Sequence, residues 1–241
     1  MQLAGRPVET DLSPAAWAAE ALAGRPPGTV AALVPSVFEA CARVFHPAVR
    51  YAGLDDVDVP WAEVARANGT TAHPAMAWGS LTGSADYYTE DNQSPLWDDA
   101  PAMGHLPEHV AAAVTAVLRR HTTTPGDCWF GLSAHHLTGP VTDLSVPAVD
   151  LGGRRFWLVR GPVQLAAANL LPEPASQSAN VWWPADRAWF VATDIDLVTT
   201  YVGGSAACVA DLLDAPALEA AEVSPGQRTT EDADTVNPEP W

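Results

Sequence analysis

Lysine is missing from this chain: all twelve cationic residues are arginine, and 29 acidic residues set against them give a formal charge of −17. Phosphate backbones are held by clustered positive charge, so nucleic acid is not an expected ligand. Isoleucine occurs once, as Ile195, and its scarcity beside abundant Ala, Val, Leu, Arg and Pro looks like codon bias in a GC-rich genome. No run approaches the ~20 apolar residues of a bilayer-spanning helix. The stretch from Met1 to Glu9 lacks the apolar core of a secretory signal, which predicts a cytoplasmic protein away from membranes. Cys41, Cys128 and Cys208 are odd in number and widely spaced, a pattern that fits reduced thiols rather than a disulfide framework or a zinc site. Gly-x-Ser-x-Gly, His-Glu-x-x-His, dinucleotide and kinase signatures are all absent, and neither a cofactor nor a metal ion is assigned.

What is present is a globular composition, 48% hydrophobic and 17% charged over 241 residues. Helix signals dominate the first half. Ser13-Pro14 opens a helix over 14–23 that Gly24 closes. Val34, Val37, Phe38, Cys41 and Phe45 fall on one helical stripe and predict a second helix there. Pro60 to Asn68 and Pro107 to Arg120 repeat the pattern, the latter with Glu108 in its first turn and Arg119-Arg120 in its last, as the helix dipole favours.

Beyond residue 126 the pattern turns extended. Residues 127–133 and 154–160 alternate, while 188–193 is apolar on both faces, as a strand inside a sheet must be. Val198 to Val202 predicts either a continuation of that strand after a bend or a neighbouring strand, and Leu218 to Val223 an edge strand, with a helix between them that begins at Ser205. Helices first and strands later predict an α+β fold, N-terminal helices packed on a mostly antiparallel C-terminal sheet. Residues 1–223 are expected to form one domain with an acidic loop at 84–105. The polar, acidic stretch 224–241 is expected to be a disordered tail.

Ser178 to Ser205 (SANVWWPADRAWFVATDIDLVTTYVGGS), with HTTTPGDCWFG at 121–131, resembles a family of uncharacterised actinobacterial proteins. That family has no assigned activity, so the resemblance transfers no role to any residue. The chain departs from it after Phe130, where Leu132 to Leu137 with paired histidines replaces further aromatic and acidic residues.

Candidate chemistry gathers after the central strand. Alternation places Asp194 and Asp196 on one face, suited to binding a cation or sharing a proton, with Arg187 as the neighbouring partner. The plainer alternative is an Asp that caps a turn or pairs with an Arg. Trp183, beside Trp182, is either a cleft wall or core. His135 and His136, with His121, Asp127 and Cys128, suit a metal site or a Cys-His dyad, but their spacing selects neither. Gly203-Gly204-Ser205 is either an anion-binding helix start or a turn with Ser205 as N-cap.

Three functional readings remain. The first is a non-catalytic protein-binding module, inhibitor-like or immunity-like, that meets a basic protein partner through the acid in 84–105 and 211–241. The second is a small enzyme or small-ligand binder with its site at Asp194 and Asp196, flanked by Trp183, Arg187, His135 and His136. The third is a purely structural subunit.

Overall fold

The computed structural model describes residues 1–53, 55–84, 93, 95–134, 145–171 and 176–240. In chain order the elements are β1 (Gln2–Leu3), β2 (Arg6–Pro7), α1 (Ala16–Leu22), β3 (Ala40–Phe45), β4 (Ala48–Ala52), β5 (Asp55–Val59), α2 (Trp61–Asn68), α3 (Trp78–Thr82), α4 (Glu108–Leu118), β6 (Cys128–Ser133), β7 (Val149–Leu151), β8 (Arg154–Gly161), β9 (Val181–Pro184), β10 (Phe190–Ala192), β11 (Thr199–Gly204), α5 (Ala206–Leu213) and β12 (Ala220–Val223). Eight strands make one antiparallel sheet in the order β12-β3-β11-β10-β9-β6-β8-β7. The fold is α+β.

Because strand side chains alternate, each interior strand feeds two apolar layers. Ala42, Val44, Phe130, Trp182, Val191 and Val202 face α4 and α5. Cys41, Trp183, Phe190, Ala192 and Tyr201 face α1 and the segment around Val30 to Val34. A third cluster at the end of β3 joins Phe45 to Trp61, Trp78 and Trp97, whose rings step across one another at 5.0–5.3 Å. The apolar stretch around Trp189 lies inside the sheet, as its two-sided pattern predicts. No helix among the described residues is long and apolar enough to cross a membrane.

Local signals account for the helix ends. Gly69 takes the left-handed conformation that stops α2, with φ 70°. The Ser205 side chain accepts the Cys208 N–H at the start of α5. Gly203 and Gly204 belong to β11 rather than to a turn. A Cβ on Gly203 would lie 2.5 Å from both Val34 Cγ1 and Phe38 Cδ2, so glycine lets that layer close on the strand.

Two expectations need correction. The predicted helical stripe over Val34 to Phe45 is instead a short 3-10 turn at Val30–Ala32 followed by strand β3. Its apolar spacing is compatible with both structures, and the slot between β11 and β12 decides for the strand. A helix would have buried Val37, which is 67% exposed. Residues 224–240 do not hang free. The N–H groups of Val30 and Ala31 donate to Gln227 O and Pro225 O, and Thr229 N–H donates to Gly28 O. Composition counts only the apolar area a segment can bury, whereas this one is held by hydrogen bonds to the body. Trp241 lies outside the described residues.

Candidate functional site

After Ala192 the chain leaves the sheet in a turn that leads into β11. Leu197 N–H donates to Asp194 O at 3.1 Å, and Asp196 N–H donates to Asp194 Oδ1 at 3.2 Å. The other Asp194 oxygen accepts Arg154 Nε at 2.5 Å, while Arg154 Nη1 reaches Ala32 O at 3.2 Å. This ion pair stands between two cavities. The smaller, about 210 Å³, is walled by Leu22, Leu151, Phe156, Val181 and Ala192. The larger, about 550 Å³, is walled by Arg43, Trp61, Met76, Trp78 and residues 228–233. Leu33, Arg154, Asp194 and Asp196 line both.

The structure therefore brings Asp194 and Asp196 to a concavity, but not as strand alternation foresaw. Both lie in the turn, Asp194 engaged by Arg154 and the Asp196 N–H, Asp196 exposed. Arg187 is not the partner. It sits in the β9–β10 turn with φ 57°, its guanidinium 5.5 Å from the centre of the Trp17 ring. Trp183 is 1% exposed, stacked on Phe190 at 5.5 Å, and belongs to the core. The register explains this separation. Val181 pairs with Ala192, so the hairpin carries Trp183 and Arg187 toward its turn while Asp194 emerges at the opposite end. His135 and His136 lie outside the described residues; Ser133, just before them, lines the smaller cavity.

Sequence reasoning missed Arg43. Its alternation with Cys41 and Phe45 puts a cation on an otherwise apolar strand face, a signal hidden by the helical reading of that stretch. Arg43 is only 8% exposed. Nη1 donates to Pro74 O and Met76 O, both at 2.9 Å, and the guanidinium lies 4.7 Å from the centre of the Phe45 ring and 5.6 Å from that of Trp61. No ion pair to Arg43 is formed among the described residues, and its Nε has no hydrogen-bond partner. A buried cation without a carboxylate is costly, which marks it as a functional candidate.

Beside it, His46 is fully buried. Its Nδ1 lies 2.6 Å from Ala102 O and its Nε2 2.9 Å from Thr200 Oγ1, which is 2.6 Å from Thr193 Oγ1. A carbonyl only accepts, so Nδ1 carries the proton and Nε2 accepts from Thr200, which in turn accepts from Thr193. Burial, joined by the charges of His105 and Arg43, outweighs the Ala102 bond and pushes the imidazole down to about 4, so it is neutral at pH 7. The Thr193 hydroxyl at the wall of the smaller cavity is thereby committed inward.

The far wall of the larger cavity comes from the C-terminal stretch. Asp234 fixes it by accepting the N–H groups of Ala77, Val236 and Asn237 and by lying 2.9 Å from His73 Nε2. Burial opposes the Asp234 charge, but these donors hold its carboxyl down to about 2. The thiols do not suit nucleophilic chemistry. Burial pushes Cys41 up to about 11, and Cys128 and Cys208 to about 12. Among the described residues no group of three or more His, Cys, Asp or Glu is placed to hold a metal ion. No protein-family model matches the chain, and neither a curated protein nor a solved structure matches it.

Proposed function

We propose that the protein binds a small molecule in the two-part cleft divided by the Arg154–Asp194 pair. The observation that carries this reading is the convergence of both cavities on Leu33, Arg154, Asp194 and Asp196, in a volume typical of ligand sites and with mixed aromatic and charged walls. A fragment library screened by ligand-observed NMR tests it. Hits on the wild type should vanish in Ala75→Trp, which places an indole at the wall of the larger cavity. Hits that survive, or a library without hits, count against the cleft.

A second reading, a module for a basic protein partner, is favoured by one contact. Asp98 and Asp99, in the acidic segment, accept from the Tyr51 N–H and hydroxyl, which brings them beside Asp55, Asp56 and Asp58 of the β4–β5 hairpin. This reading expects a partner recovered from lysate at low salt and released at high salt. The triple change Asp55→Asn, Asp56→Asn, Asp58→Asn should abolish that recovery; unchanged recovery sinks the reading.

A further inference from the structure

Among the described residues, the larger cavity has one cation with no carboxylate to neutralise it. Arg154 is paired with Asp194, and Arg228 Nη2 lies 2.8 Å from Asp232 Oδ2. Among the described residues, Arg43 alone of the arginines lining that cavity is paired with no carboxylate. Its Nη1 donates to two backbone carbonyls, which fixes the guanidinium plane, while Nε has no partner and no hydrogen bond from Nη2 is formed among the described residues. The Nε and Nη2 edge is a fork of two parallel donors, the geometry that matches the two oxygens of a carboxylate. A second orphan stands next to it. Tyr201 is the cross-strand partner of Arg43, hence on the same face of the sheet, and its buried hydroxyl also has no partner. Unsatisfied polar groups are rare in folded proteins; Tyr201 lies in the core and lines neither cavity, whereas Arg43 lines the larger one, so its orphan donor can take an acceptor from outside.

Resting on the reading of this cleft as a small-molecule site, we infer that its ligand is a monocarboxylate with an apolar or aromatic body, the carboxylate on Arg43 and the body against Trp61 and Trp78. The charges of the lining argue for a single negative charge. Three arginines face four carboxylates there, with Asp196 and Glu231 exposed. A phosphate monoester, with up to two charges, would neutralise Arg43 and then be repelled by the excess acid. Trp61, Trp78 and Met76, all buried, form the apolar side of the lining, with the Trp61 ring centre 5.6 Å from the guanidinium.

Isothermal titration of the whole protein with 3-phenylpropionate, its neutral amide 3-phenylpropanamide, and phenyl phosphate tests the assignment. The carboxylate should bind with a Kd in the range of about 1 mM or tighter, and the amide at least about tenfold more weakly. Phenyl phosphate should bind no better than the amide. Arg43→Met should remove the preference for carboxylate over amide, and Arg43→Lys, which keeps the charge but loses the fork, should weaken carboxylate binding about tenfold. If Arg43→Met fails to fold, the comparison of the three probes on the wild type and the lysine variant still decides. Equal binding of carboxylate and amide, or a preference for phenyl phosphate, overturns the carboxylate assignment while leaving the cleft as a small-molecule site. No binding of any probe at concentrations up to about 10 mM, or binding indifferent to Ala75→Trp, overturns both.

Discussion

Lowering the pH from neutrality should destabilise this protein earlier than its carboxylates alone would, because of His46. Folded, the imidazole protonates only near pH 4; unfolded, it does so near 6.5. Between those values the unfolded chain holds the extra proton, so stability falls as pH drops through 6.5 and levels out below the folded value. A separation of about 2.5 pK units at 1.36 kcal/mol each is worth about 3 kcal/mol in all, of which roughly 2–3 kcal/mol is lost by about pH 4.5. Asp234, held down to about 2, stays charged across that window. Glu219 works the other way. Burial raises its pKa despite the N–H groups of Trp61 and Ala62, so its folded form gains the proton first as the pH falls. Urea unfolding followed by tryptophan fluorescence over this range, on wild type and His46→Gln, separates the contributions. The glutamine retains a donor and an acceptor for Ala102 and Thr200 but has no proton to gain. The variant should lack most of the downward slope between about pH 6.5 and 4.5. Parallel curves for the two proteins would refute the assignment of a neutral, buried His46.

Other consequences are open to direct measurement. Gly203→Ala sets a methyl group 2.5 Å from Val34 and Phe38 and should cost about 1–3 kcal/mol in chemical denaturation, with Gly226→Ala, which meets nothing within 4 Å, as the mild control. Asp234→Ala leaves the Ala77 and Asn237 donors unmatched and should expose residues 224–240 to limited proteolysis, at a cost of about 1–3 kcal/mol. Protection equal to wild type would show that other bonds hold the segment. The three thiols, buried and raised in pKa, should react with a disulfide reagent at about pH 8 only on the timescale of unfolding. Rapid labelling of any one of them in native buffer would contradict the burial of that cysteine.

Much of the sheet was legible because its strands carry period-two or two-sided apolar patterns, as at 128–133, 154–161 and 190–192. Helices α2 and α4 announced themselves by their ends. The candidate cleft was legible in part. Asp194 and Asp196 stand at a strand exit, where a chain reverses and concavities form, and both line the cavities. Their surroundings were not legible. Arg154 comes from β8, forty residues before Asp194, and only the stacking order of the sheet sets it opposite.

The sequence by itself determined the α+β class, the interior position of the strand around Trp189, the Ser205 cap of α5 and the surplus of negative charge, since all of these follow from local spacing and composition. The tertiary structure alone decided that 40–45 is a strand, that Arg43 is buried without a carboxylate among the described residues, that Trp183 and Arg187 lie at the other end of the hairpin from Asp194, and that residues 228–233 wall a cavity. The physical reason is common to the four. Each depends on which distant segments supply hydrogen bonds and apolar cover, and neither periodicity nor composition carries that pairing.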